Sequence, residues 1–235
     1  LSAASTLAAA ATATYRLDLV HTGVKVTGLL AIKHLKLEPL PWPGHPSRAT
    51  DDGQSGVYRF EVRDADGQLL QARGYASIFG EWVTTDEAQH QHRTFHESLR
   101  FPAPAKAGPL QVKIYRRDAQ QVFQPVWETK LDTTDMFVDR SPTAPQELIV
   151  IEQHGAAVDK VDLLLLGDGY TAAECAAKFR ADARRVSAAL FEVQPFARRR
   201  QDFNVWGLCP PAAESGVSRP STGIHRASPA GATYD

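Results

Sequence analysis

Cysteine is almost missing from this sequence. Two in 235 residues, Cys175 and Cys209, allow at most one bridge, which excludes a small fold held by a disulfide scaffold. Cys175 then reads as a small core residue. No apolar run reaches the ~20 residues that a membrane-crossing helix needs, so no membrane span is expected. Charge of one sign is lacking too. With 26 Lys and Arg against 27 Asp and Glu, the formal net charge is -1, and neither nucleic acid nor an anionic membrane has an electrostatic reason to bind. The basic run Arg198-Arg199-Arg200 has no interleaved aromatics and reads as a solvated helix end. What remains is an ordinary globular composition, 43% hydrophobic and 23% charged, which argues against disorder. The length accommodates two domains of ~100–150 residues each.

The opening Leu1 to Ala13 is an uncharged run of Ala, Ser, Thr and Leu that ends in Ala11-Thr12-Ala13, the small-x-small form of a signal-peptidase site. Residues 1–14 are therefore read as a signal-peptide remnant, and the protein as secreted or periplasmic. From Tyr15 to about residue 138 short alternating segments are separated by turn residues, the pattern of strands packed on one face. Val57 to Arg63 and Leu69 to Arg73 flank Ala65-Asp66-Gly67, where Asp-Gly supplies the left-handed conformation of a tight hairpin. A second hairpin joins Leu110–Tyr115 to Val122–Trp127, and Pro125 places its second strand at an edge or a bulge. With Tyr15–His21, Ile32–Glu38 and Thr94–Phe101, about seven strands are expected, the number of a β-sandwich.

Residues 139–146 carry two prolines and no periodicity, and form the expected linker. After it the pattern changes. Val161-Asp162-Leu163-Leu164-Leu165-Leu166 reads as a strand covered on both faces. Thr171 and Glu174 then form a Thr-x-x-Glu capping box. Cys175, Phe179, Ala183, Val186 and Leu190 make one apolar stripe along the helix. Phe203 to Leu208 reads as a second buried strand. Residues 147–235 are thus a βαβ unit, and the fold class is α+β in two domains, a β-sandwich followed by the start of an α/β domain, truncated.

Three constellations invite a chemical reading. His90, His92 and His96 stand beside Glu97, and His96-Glu97-Ser98-Leu99-Arg100 begins like the His-Glu-x-x-His of zinc peptidases. It fails at Arg100, whose guanidinium has no lone pair for a cation. The period-two alternation around it predicts a strand instead of a helix. Gly167-Asp168-Gly169-Tyr170-Thr171-Ala172 fits a permissive dinucleotide fingerprint, but Asp168 would put a carboxylate in the phosphate cradle. A tight turn, with Asp168 held by backbone N–H groups, is the simpler reading. In the second domain His154 and His225 are far apart and make no helical pair. Three candidates for substrate contact remain, Asp168 at the strand end and Glu214 and Ser215 in the loop beyond the second strand.

A family resemblance is carried by Leu40-Pro41-Trp42-Pro43-Gly44, Gly80-Glu81-Trp82 and Arg93 to Pro102. It continues through Leu164 to Thr171, Pro195-Phe196, Phe203-Asn204-Val205-Trp206 and Ala213 to Val217. In type and order these resemble M64-like (IgA peptidase) proteins, over nearly all of Tyr15 to Asp235. The resemblance implies a bacterial secreted zinc metalloendopeptidase with a zincin-like second domain and a protein or peptide substrate. Its zinc-binding His-Glu-x-x-His segment would follow Asp235, so this chain is expected to supply no catalytic residue and no metal ligand, and to be inactive alone. Zinc is expected for the full-length protein. Two rivals stand beside it: a non-catalytic carbohydrate- or surface-binding β-sandwich attached to an inactive α/β domain, and a nucleotide-dependent enzyme using Gly167 to Ala172.

Overall fold

Apolar side chains at every second position force the first half of the chain into strands, because successive residues of a strand point to opposite faces. The computed structural model describes residues 12–44, 48–51, 53, 55–142 and 147–234. They fall into two compact units, Leu1–Thr143 and Ala144–Asp235. Most of the expected signal-peptide remnant, residues 1–11, lies outside the described residues, as does 143–146 of the expected linker.

In the first unit β1 (Ala13–Val24) and β2 (Thr27–Pro41) form a long antiparallel hairpin. Strands β3 (Tyr58–Arg63) and β4 (Leu69–Tyr75) follow as a second hairpin, with Gly67 at φ 79 in its turn. The last three are β5 (Arg93–Pro102), β6 (Pro109–Arg117) and β7 (Phe123–Asp132). They assemble into two antiparallel sheets, β2-β1-β5 and β4-β3-β6-β7. Leu17, Leu19, Leu99 and Phe101 of the first sheet share one core with Phe60, Val62, Val112 and Ile114 of the second. Each such burial is worth about 1.5–3 kcal/mol. Pro125 sits on the edge strand β7, opposite a register break at Ile114/Tyr115, where its missing N–H breaks no ladder.

The first hairpin is longer than the sequence pattern suggests. Residues 25–29 at its tip are all exposed, so no buried alternation marks them as strand. A one-turn helix, α1 (Ile78–Trp82), is also unforeseen; Ser77 caps it by accepting a hydrogen bond from the Gly80 N–H at 3.1 Å.

The second unit is built on a three-stranded sheet. Its order is β8-β10-β9, from β8 (Ile149–Glu152), β9 (Val161–Leu166) and β10 (Phe203–Leu208). Strands β9 and β10 are parallel, and β8 runs antiparallel to β10. The crossover between β9 and β10 is one helical rod, made of α2 (Ala172–Glu174), a π-helical turn at Cys175–Phe179, and α3 (Arg180–Leu190). Thr171 caps it. The Thr171 N–H donates to Glu174 Oε2 at 2.9 Å and the Glu174 N–H donates back to Thr171 Oγ1, the reciprocal box that the sequence predicts.

Three expectations for this unit need correction. Cys175 is not a lone core residue, for it is bonded to Cys209. The buried stripe runs Phe179, Ala183, Ser187 and Phe191, while Val186 is 45% exposed. A polar Ser187 is accommodated because its hydroxyl donates to Glu152 of β8 at 2.5 Å. Strand β9 is not covered on both faces, because it lies at the sheet edge and Leu164 and Leu166 are half exposed. Arg200 is exposed, as expected of a solvated helix end, and also donates to Glu152 at 2.7 Å and lies over the Phe191 ring. Among the described residues no helix is long and apolar enough to cross a membrane.

Candidate functional site

The loops at the carboxyl ends of β9 and β10 bring all three sequence candidates together around the first turn of the crossover helix. Gly167 opens the turn because a Cβ there would come within 2.8 Å of the Phe179 ring. Gly169 has φ +71, and a Cβ on it would meet the Gly216 carbonyl oxygen at 2.5 Å. The Gly216 N–H donates to the Gly169 carbonyl at 2.7 Å, so the space that a dinucleotide phosphate would need beside the motif is occupied by chain. The glycines of Gly167-Asp168-Gly169 thus have a packing reason.

Asp168 is a clamp. Its carboxylate accepts from the Ser228 hydroxyl at 2.7 Å and from the Ala230 and Ala232 N–H groups at 3.0 and 2.9 Å. Burial, which favours the neutral acid, is outweighed by these donors, and the carboxyl is held below its ordinary range. Ser215 and Glu174 form the second anchor. The Ser215 hydroxyl donates to Glu174 Oε1 at 2.8 Å, leaving Oε2 to the capping box. The Thr171 N–H and then the Ser215 hydroxyl hold the Glu174 carboxyl down as well. Glu214 is more than half exposed and reaches Arg226 only at 3.9 Å. A third anchor, the Cys175–Cys209 bond, ties the same loops to the helix. Asp168, Glu174 and Ser215 are therefore engaged in holding residues 209–234. A carboxylate whose proton affinity is lowered in this way is a weak general base at neutral pH.

The histidine constellation of the first unit is dispersed. His90 and His92 lie before β5, and β5 carries His96 outward and Glu97 inward, as alternation along a strand demands. His96 and Glu97 thus face opposite sides of the sheet and cannot act on one ligand. Inside, Glu97 Oε1 accepts from the Ser77 hydroxyl and lies 3.3 Å from His21 Nδ1, while Glu97 Oε2 and the Tyr75 hydroxyl are buried without a partner among the described residues. Burial, then the neighbouring Glu97, raises the Tyr75 hydroxyl far above its usual range. The carboxylate here joins serine and histidine; a nucleophilic relay needs the histidine between the other two. This buried group was not legible in sequence, because Ser77, His21 and Glu97 come from three distant segments.

In the second unit His154 Nδ1 is 2.6 Å from the Phe203 carbonyl and His225 is exposed elsewhere. Among the described residues no group of three or more His, Cys, Asp or Glu side chains is placed to hold a metal ion.

Comparison with known protein families gives two matches, in the same order as the two compact units. Residues 8–128 match the family model described as Peptidase M64 N-terminus, and residues 149–235 match the one described as IgA Peptidase M64. Among curated proteins the chain finds no match.

Proposed function

The chain belongs to the IgA peptidase M64 family, and we propose from this that it is part of a secreted zinc metalloendopeptidase acting on protein substrates. The observation that carries the reading is the paired match, an M64 N-terminus model followed by an IgA Peptidase M64 model in one chain. Zinc does not fit the described residues, which offer no cluster of three ligands, whereas a catalytic zinc needs three and an open position. The zinc ligands are accordingly proposed to lie outside the described residues, and no catalytic step is drawn through those residues. Its own contribution is the zincin-like scaffold of β8, β9, β10 and the crossover helix. The Cys175–Cys209 bond supports export, since disulfides persist in oxidising compartments.

The test compares this chain with its longer reading frame, each supplied with zinc and assayed on casein and immunoglobulin. The longer protein is expected to bind zinc and cleave, and this chain to do neither. Stoichiometric, sub-micromolar zinc on this chain, lost on mutation of His92 and His96, would overturn the assignment of the metal elsewhere.

A further inference from the structure

The outward face of the β2-β1-β5 sheet carries a pocket of about 270 Å3 lined by Arg16, Asp18, Lys33, His96, Glu97, Ser98 and Arg100. Its acceptors are already taken. Asp18 receives Arg16 Nε at 2.8 Å and Nη2 at 2.9 Å, and His34 Nε2 lies 2.8 Å from the same carboxylate. Glu38, at its border, accepts from Arg16 Nη1 at 2.6 Å. Glu97 turns its carboxyl to the other side of the sheet, onto Ser77 and His21. The donors are not taken. Lys33, His96 and Ser98 have no partner among the described residues, and Arg100, half exposed, meets only Glu38 at 3.8 Å. Lys33 and Arg100 are thus the cations of this pocket without a close carboxylate partner, so a ligand rich in acceptors complements it.

The spacing of the donors defines the ligand further. His96, Ser98 and Arg100 project from one face of β5 at every second residue, a repeat of ~6.6–6.8 Å. Lys33 lies at the register break of β2, on the far side of β1 from Ser98. A single small ion would need donors converging on one point. A row at this repeat matches alternate side chains of a second extended chain laid along the strand.

We propose that this face docks an extended acidic segment of a protein substrate, whose Asp or Glu side chains meet Lys33, His96, Ser98 and Arg100. The inference rests on the peptidase reading for the source of the segment, but its test needs no cleavage. Calorimetric titration of this chain would use a peptide of alternating Glu and Ser, its Gln-for-Glu and Lys-for-Glu twins, and an oligogalacturonate.

The acidic peptide is expected to bind at least about tenfold more tightly than its Gln twin at low salt, and to weaken as salt screens the charges. The double variant Lys33→Glu/Arg100→Glu should lose it and prefer the Lys twin. Arg100→Gln alone, which keeps most of the side chain, should weaken binding about threefold. Equal binding of the Gln twin, an unchanged affinity in Arg100→Gln, or tighter binding of the oligogalacturonate than of the peptide would each overturn the proposal. A failed proteolysis assay with intact peptide binding would instead count against the peptidase reading alone.

Discussion

Cys175, in the π-helical turn of the crossover rod, is bonded to Cys209 just after β10, with their Cα atoms 5.7 Å apart and a sequence separation of 34. The bond joins the start of the helix to the strand the helix precedes, closing the βαβ unit on itself. A closed loop of this length restricts the unfolded chain by about 3–4 kcal/mol. Denaturant unfolding of the second unit should therefore shift to lower urea on reduction, and Cys175→Ser/Cys209→Ser should behave like the reduced protein. Identical midpoints with and without reductant would show that the two thiols are not bridged.

Phe179 is 4% exposed and packs against Gly167 and Gly207, where it fills the space left by two missing side chains. Phe179→Ala should cost about 3–5 kcal/mol in chemical denaturation. Val186→Ala, on the exposed side of the same helix, should cost less than about 0.5 kcal/mol. A reversed ranking would mean that the helix packs on its other face.

Lys36 is buried, and its ammonium donates to Asp139 at 2.8 Å. That contact, with help from Ser141, holds the Asp139 carboxyl far below its ordinary range. The unfolded state thus takes up the proton at higher pH than the folded state. Stability from this group is fully present above the unfolded pKa of ~4 and is lost as pH falls through the folded value. The urea midpoint should decline as the solution is acidified below about pH 4, and more shallowly in Asp139→Asn. At neutral pH that variant should already be the less stable, because Lys36 is left buried beside a neutral amide. An unaltered acid limb in Asp139→Asn would remove Asp139 from the account.

Asp168→Ala would release Ser228, Ala230 and Ala232 at once. Limited proteolysis should then cut residues 217–234 faster than in the parent, with the cut sites read by mass spectrometry, while helical circular dichroism is retained. Unchanged cleavage would show that Asp168 is not the clamp.

Much of this fold was legible because its signals are local. Asp66-Gly67 marks its hairpin, Thr171 and Glu174 mark the helix start, and the alternation from Phe95 to Phe101 identifies a strand despite the histidine and glutamate within it. What escaped was set by distant partners. Ser187 looks unsuited to a core until Glu152, 35 residues earlier, is beside it. The site divides in the same way. Asp168, Glu214 and Ser215 were found from their place at strand ends, where open α/β sheets gather their loops. That Asp168 is engaged by Ser228, 60 residues on, and Ser215 by Glu174, 41 residues back, depends on packing that no window of sequence reports.

The first strand among the described residues is the middle strand of its sheet. On one flank β1 meets β2 through a tight turn, but on the other Tyr15 pairs with Phe101 and Leu17 with Leu99. A ribosome adding ~5–20 residues per second completes the β1-β2 hairpin several seconds before β5 exists. For that interval one side of β1 is a row of unpaired amides beside uncovered leucines, a template for any passing strand. The nascent chain must be shielded there until residue 102 has emerged.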